Sequence, residues 1–194
     1  MIRSISSHSV LALAFGIALA ISAAAQQKSD TSKDDNFDVR SSIGDMHLGK
    51  DANAEKAGLP LYPGARPKQD KDNDPINFGV LTESFGFKVV VAKYESDDAP
   101  DKVLAYYRDK LKKKYGKVLE CHTSEHGGGA HTDINDDKDS KQLKCDGDNT
   151  GPVIELKVGT EDNQHVVAIE PREGHTGSTF ALVYVYTRGK QADI

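Results

Sequence analysis

Three adjoining segments decide the fold: GFKVVVAKYES (residues 86–96), DDAPDKVLAYYRDKLKKKYG (97–116) and KVLEC (117–121). Within the first segment, Phe87–Tyr94 is rich in β-branched and aromatic residues, which predicts a strand. Its three consecutive valines indicate burial on both faces. The third segment predicts a strand that returns after the middle one. The chain is therefore organised around a strand, a helix and a strand in direct succession.

The middle segment carries helix signals at both ends. Asp98 is a candidate N-cap, and Pro100 follows in the first turn, where its missing N–H has no intrahelical role. Apolar residues recur at a spacing of four and give the helix one apolar stripe: Val103, Tyr107 and Leu111. Lys112–Lys114 complement the negative end of the helix dipole, and Gly116 suits a left-handed cap. The pattern predicts a helix over about residues 99–115.

The segments on either side predict strands that form a sheet with this unit. They alternate in polarity or are apolar, and turns containing Gly, Asp and Asn separate them: Asn77–Thr82, Gln142–Cys145, Val153–Val158, His165–Glu170 and Thr179–Thr187. The sequence therefore predicts a single α+β domain over residues 58–194. We expect an antiparallel or mixed sheet of five to seven strands, with one main helix packed on one face. A second apolar face on this sheet would imply association.

The N-terminus predicts export. Arg3 precedes an apolar run from Val10 to Ile21, and small residues occupy the positions that a signal peptidase reads before a cut after Ala25. Residues 1–25 are therefore interpreted as a cleaved signal peptide, with an uncleaved anchor as the alternative. No other segment is long and apolar enough to span a bilayer. We expect a periplasmic or secreted protein without a membrane span after cleavage.

The mature chain begins with a polar stretch. Residues 26–57 contain few large apolar side chains and predict a flexible leader. Phe37–Leu48 is the exception, since its pattern also suits an edge strand or a hairpin. The whole chain has 194 residues, a formal net charge of -5 and no tryptophan. It shows no excess of Lys and Arg, so nothing in it favours nucleic-acid binding.

Two cysteines, Cys121 and Cys145, remain after signal cleavage. In an oxidising compartment such a pair is a disulfide candidate. Closing the loop between them would stabilise the fold by roughly 3 kcal/mol in the chain-entropy model. Two free thiols or two metal thiolates are the alternatives.

The segment between the cysteines is rich in metal-ligating side chains. Its candidate ligands for zinc, copper or nickel are three histidines and a carboxylate: His122, His126, His131 and Asp133. Gly127–Gly129 make a helix improbable here, and the metalloprotease spacing is missing. The alternative interpretation is a solvated hairpin loop that holds no ion.

One resemblance can be stated. Leu59–Ala65 reads LPLYPGA, and a strand and the segment DDAPDKVLAYYRDKL (97–111) follow it. This combination, over about a third of the chain, resembles a pattern found in small exported bacterial proteins of unknown function. The resemblance implies an export-competent α+β domain, and it implies no activity, cofactor or catalytic residue.

No catalytic signature accompanies these features. The sequence contains no Gly-x-Ser-x-Gly elbow, phosphate loop or dinucleotide fingerprint. It therefore favours an exported, non-enzymatic domain with a binding or structural role in the cell envelope, without a cofactor, whose candidate companion is a protein partner or another copy of the chain. A divalent-metal-binding protein is the first alternative. A hydrolase with dispersed catalytic residues is the second.

Overall fold

The unit at residues 86–121 folds into a strand, a helix and a strand, and the rest of the chain extends its sheet. The computed structural model describes residues 36–68, 75–124, 142–145 and 149–189. The predicted signal peptide lies outside these ranges. The elements are β1 (Phe37–Ser41), β2 (Gly44–Gly49), β3 (Arg66–Pro67), β4 (Ile76–Thr82), β5 (Gly86–Ser96), α1 (Pro100–Tyr115), β6 (Leu119–Thr123), β7 (Val153–Thr160), β8 (Asn163–Pro171) and β9 (Ser178–Arg188).

All nine strands belong to one sheet, with β5 and β9 at its centre. Eight of them follow the order β1-β2-β4-β5-β9-β8-β7-β6, and β3 pairs with the end of β5 beyond β4. Strands β5 and β9 are paired along their whole length, from Gly86 opposite Arg188 to Ser96 opposite Ser178. The decisive segment 86–96 is thus a central strand, in agreement with its three valines.

The predicted α+β class with five to seven strands is wrong. The described chain holds nine antiparallel strands and one short helix, so the fold is closer to mainly β. Two of the additional strands, β1 and β2, form the hairpin that the pattern of Phe37–Leu48 left open, and the third is the two-residue β3. Conversely, Gln142–Cys145 forms no strand. A disulfide, rather than a ladder of hydrogen bonds, joins it to β6.

Helix α1 connects β5 in the middle of the sheet with β6 at its edge and packs on β7, β8 and β9. Its buried stripe contains the predicted residues together with Leu104: Val103, Leu104, Tyr107 and Leu111. Ala99, not Asp98, is the N-cap residue. The Asp98 carboxylate instead accepts hydrogen bonds from Tyr62 (2.7 Å) and Lys102 (2.8 Å). Gly116, with a φ of 78°, ends the helix as predicted.

Both faces of the sheet are apolar. The helix face carries the larger cluster, which includes Val90, Tyr94, Leu156, Val167, Phe180 and Leu182. The chain between β2 and β3 covers this face beside α1 with Ala54, Ala57, Leu59 and Tyr62, and the Ala54 N–H donates a hydrogen bond to the Tyr94 hydroxyl at 2.9 Å. The second face carries a separate buried cluster: Val153, Val166, Ala168, Ala181, Val183 and Val185.

Candidate functional site

The second face of the sheet extends, partly exposed, over β1, β2, β4 and the start of β5. Directly opposed side chains in an antiparallel pair point to the same side, and the register aligns Phe37 with Leu48 and Leu48 with Phe78. Phe78 in turn lies opposite Val89, which packs against the apolar cluster of the second face. We call this exposed part of the second face the apolar wing, and its members are Phe37, Val39, Met46, Leu48, Ile76, Phe78, Val80 and Phe87.

The apolar wing presents large side chains to solvent. Leu48 is 50% exposed, Ile76 is 47% exposed and Phe37 is 44% exposed. The other five members are half-buried, and the rings of Phe78 and Phe87 lie 6.0 Å apart. A single exposed leucine is ordinary in a soluble protein, whereas large contiguous apolar patches are uncommon on the surface of monomers. The wing is contiguous over β1, β2, β4 and the start of β5.

The wing is uncharged and ends in polar residues. Ser41 follows Val39 and Thr82 follows Val80, each two positions along its strand and therefore on the same face. Lys93 ends the corresponding apolar row on β5. An apolar centre with a polar rim is the usual anatomy of a protein–protein interface.

A continuous polar network lies on the reverse side of the same strands. His47 Nδ1 is 2.7 Å from Asp38 Oδ1, and His47 Nε2 is 2.9 Å from the side-chain nitrogen of Asn77. That amide also donates to Asp51 Oδ1 at 2.9 Å, and Lys56 Nζ pairs with Asp51 Oδ2. Because an amide nitrogen only donates, the neutral His47 ring accepts at Nε2 and donates from Nδ1 to Asp38. The network joins β1, β2, β4 and residues 51–56.

The electrostatics of this network stabilise its charged form. Partial burial alone would raise the pKa of Asp51, but hydrogen bonds from Lys56 and Asn77 outweigh it and lower that pKa to about 2. Asn77 is only 5% exposed, and its side-chain oxygen Oδ1 has no hydrogen-bond partner in the described structure. Both nitrogens of His47 are engaged, so the network holds strands in place rather than presenting a free base.

A second charged cluster fixes the turn between β5 and α1. Arg66 donates to both carboxylate oxygens of Asp97 (3.0 and 3.1 Å), and Arg172 donates to one of them at 2.9 Å. These hydrogen bonds lower the pKa of Asp97 to about 2. The cluster ties β3 and the β8–β9 turn to the start of the helix, which is a structural role.

His165 belongs to an aromatic stack at the other end of α1. Its ring lies between Tyr115 (5.4 Å between centroids) and Tyr184 (4.8 Å). Its Nδ1 is 2.8 Å from the Ala57 carbonyl oxygen, to which it donates. Burial lowers the pKa of His165 despite this hydrogen bond, so the ring is held neutral. The stack pins the end of α1 and the chain near Ala57 to β8 and β9.

The predicted disulfide between Cys121 and Cys145 is confirmed, with the two Cα atoms 5.4 Å apart. Cys121 lies on β6 opposite Glu155, on the second face, where Glu155 forms an ion pair with Lys157 at 3.2 Å. Both charged side chains are more than nine-tenths buried. Free thiols and metal thiolates are thereby ruled out for this pair of cysteines.

Only one of the four predicted metal ligands lies in the described part of the chain. His122 is on β6 opposite Ile154, and its backbone N–H donates to the side-chain oxygen of Asn149 at 2.6 Å. His126, His131 and Asp133 lie outside the described residues. Among the residues that are described, no three His, Cys, Asp or Glu side chains form a group able to hold a metal ion.

Sequence reasoning missed the apolar wing, although its signal is present. Apolar residues alternate with polar ones at positions 37 and 39, 46 and 48, and 76, 78 and 80. This period of two places them on one face of a strand. Each run is short, and only the pairing of β1 with β2 and of β2 with β4 brings the three runs together.

Comparison with known proteins gives no further guide to this surface. No family model, no curated protein and no solved structure matches the chain. Among the described residues, α1 is neither long nor apolar enough to be a membrane-crossing helix. Function is therefore argued from the surface itself.

Proposed function

We propose that the protein is an exported, non-enzymatic domain of the periplasm or the secreted fraction, with a binding or structural role that it performs by association through the apolar wing. The observation that carries this proposal is the exposure of Phe37, Leu48 and Ile76, which lie together on one uncharged sheet face. Such a patch is costly to leave in water and is selected against unless another surface covers it.

Export is supported by the disulfide and by the first residues of the chain. Structural disulfides persist in oxidising compartments and are rare in the cytosol of most organisms. The Cys121–Cys145 bridge therefore agrees with the signal-peptide pattern of residues 1–25.

The functional polar groups of the described structure support a non-enzymatic role. His47 is bonded at both ring nitrogens, and Asp51 and Asp97 are each held by at least two donors. The lowered pKa values of Asp51 and Asp97 follow from hydrogen-bonded pairs that join structural elements. Such ion-pair networks shift pKa values without any catalytic purpose.

Site-specific photo-crosslinking tests the proposal. A photoreactive phenylalanine analogue replaces Leu48 on the wing or, as a matched control, Leu81, which is 43% exposed on the opposite face of β4. Irradiation of the exporting cells is expected to give adducts from position 48 and none from position 81. Equal labelling at both positions, or none, would refute association through the wing. Turnover in an unbiased hydrolase screen that a point mutation abolishes would refute the non-enzymatic role.

Binding of zinc, copper or nickel by His122, His126, His131 and Asp133 is a second candidate function. The disulfide favours this function, because it holds Cys121 and Cys145 at a Cα separation of 5.4 Å and so closes the segment between them. The conformational entropy that the segment would lose on binding a metal is therefore smaller. A chelator-stripped sample offered each ion in turn would gain about 2.7 kcal/mol of stability at a hundredfold excess over the dissociation constant. A triple alanine variant of the histidines should lose that gain. Equal gains in both proteins would refute the site.

A further inference from the structure

We infer that the apolar wing is the interface of a homodimer, in which a second copy of this chain lays its own wing on the first. The inference rests on the proposed function, because it names the occupant of the surface through which the protein is proposed to associate. Three observations lead to it: the exposure of these strands on their apolar face in the described structure, the chemistry of the wing and its size.

Among residues 36–68, 75–124, 142–145 and 149–189, no second layer covers the apolar face of the wing strands. Helix α1 packs on β7, β8 and β9, and the chain between β2 and β3 lies on the helix face. Over β1, β2 and β4 the helix face carries the network around His47, while the second face leaves Leu48 and Ile76 about half exposed. A sheet face that is apolar is stable when another layer of structure buries it.

A second wing has the chemistry to provide that layer. All eight wing side chains are uncharged, so the wing offers no countercharge to an acidic or basic partner, and an uncharged sheet face complements itself. Two sheets pack face to face about 10 Å apart with their strands at roughly -30°. A two-fold axis through the wing then makes the contact isologous and closes it at two copies.

The size of the wing predicts a weak and reversible dimer. The exposed parts of its side chains amount to on the order of 400 Å² per copy, about half of the roughly 800 Å² that a standard interface buries on each partner. The polar rim adds area but little affinity. We expect a dissociation constant of about 10 µM, near the weak end of specific association.

The dependence of association on salt concentration distinguishes this apolar dimer from a complex held by ion pairs. Each copy carries a formal net charge of -5, so the two copies repel one another at low ionic strength. Salt screens that repulsion and does not weaken apolar contacts. The dimer is therefore expected to strengthen as salt is added, whereas a partner held by ion pairs would be released.

Sedimentation velocity on the protein recovered from exporting cells tests the inference. Between about 1 and about 100 µM the weight-average mass should rise from that of a monomer toward that of a dimer. The variants Leu48→Asp and Ile76→Asp should raise the dissociation constant at least tenfold. Leu81→Asp, on the opposite face of β4 with 43% exposure, should leave it unchanged. Leu48→Ala and Ile76→Ala are milder variants, and a matching thermal midpoint establishes that each variant is folded.

The mass of the photo-adduct formed at position 48 provides a second measurement on an unperturbed fold. A product of twice the chain mass supports the inference. An adduct of any other mass would overturn the homodimer and leave the proposed association intact, and the absence of an adduct would overturn both. The homodimer would also be overturned if the protein stayed monomeric up to about 100 µM, or if the folded Leu48→Asp variant still dimerised like the wild type. It would be overturned as well if the monomer bound vesicles of phosphatidylethanolamine and phosphatidylglycerol and the wing variants abolished that binding.

Discussion

Replacing Asp51 by asparagine is expected to destabilise the β1–β2 hairpin at neutral pH and to remove the acid sensitivity that this carboxylate gives it. Asp51 accepts hydrogen bonds from Asn77 (2.9 Å) and Lys56, and it lies 3.4 Å from the ring of His47. Through these groups it joins the chain after β2 to β4. The asparagine keeps the shape of the side chain and loses its charge, so the substitution isolates the electrostatic part.

The magnitude follows from the lowered pKa. The pKa of Asp51 is about 2 in the folded protein, against an ordinary value of 3.8 for an aspartate side chain. One pKa unit corresponds to about 1.4 kcal/mol, so the carboxylate contributes about 2 kcal/mol after allowance for its partial exposure. Because the folded pKa is the lower one, this stabilisation is complete above about pH 5 and is lost as the pH falls through about 4 to about 2.

Two assays measure it. Urea unfolding of the wild type and of Asp51→Asn should differ by about 2 kcal/mol at pH 7 and by about half of that at pH 3. Amide hydrogen exchange should localise the effect, with the protection of β1 and β2 falling about 30-fold in the variant while β9 is unchanged.

A difference in unfolding free energy that stays constant between pH 3 and pH 7 would refute the electrostatic reasoning. A loss of protection spread evenly over the sheet would refute the local role of the network. Lys56→Met is a control made at the residue that pairs with Asp51, because it removes the ion pair and keeps the Asp51 carboxylate. It should raise the pKa of Asp51 and so shift the acid transition to higher pH.

Three further predictions concern the rest of the fold. Cys145→Ser, with the remaining thiol blocked, should cost about 3 kcal/mol in urea unfolding, since the bridge spans 24 residues, and a loss below about 1 kcal/mol would contradict the loop-closure argument. Gly177→Ala should lower the thermal midpoint much more than Gly174→Ala. Both glycines have positive φ (108° and 67°), so the backbone strain is shared. A Cβ at 177 would collide with the Ser96 carbonyl oxygen of β5, whereas a Cβ at 174 would meet no atom within 4 Å. Glu155→Gln should cost about 3 kcal/mol in urea unfolding, because it removes the charge of the carboxylate that lies 3.2 Å from the buried Lys157 ammonium. The double variant Glu155→Leu with Lys157→Met should restore most of that loss, and an equally unstable double variant would show that the ion pair is not the cause.

The parts of the fold that sequence alone predicts are those with local causes. Pro100, the stripe at Val103, Tyr107 and Leu111, and Gly116 each act within the helix, and α1 is found at residues 100–115. The Asp98 cap failed because a residue distant in the chain, Tyr62, binds that carboxylate. The local sequence identifies which residues could cap the helix, and tertiary contacts such as that of Tyr62 with Asp98 decide which residue does so.

The hairpin β1–β2 shows why the sheet was underestimated. Its strands contribute two wing residues each, Phe37 with Val39 and Met46 with Leu48, among polar neighbours that resemble a flexible leader. What makes them strands is the pairing of β1 with β2 and of β2 with β4. Asn77 of β4 lies 30 residues after His47 and its side chain reaches back to that ring. Composition averages over such a segment, and only the register shows that its apolar residues face one way.

The polar network and the apolar wing are linked because they occupy opposite faces of the same strands. We call the hairpin docked when β2 is paired with β4. If only chains with a docked hairpin can dimerise, the apparent dissociation constant is the intrinsic one divided by the square of the docked fraction, because both copies must be docked. When docking is favourable by more than the roughly 2 kcal/mol that Asp51 supplies, Asp51→Asn leaves most hairpins docked and dimerisation hardly changes. Leu48→Asp, by contrast, raises the dissociation constant at least tenfold without undocking the hairpin. The reciprocal effect must also hold: raising the protein concentration should increase the protection of β1 and β2 amides from exchange, and the wing variants should lose that increase.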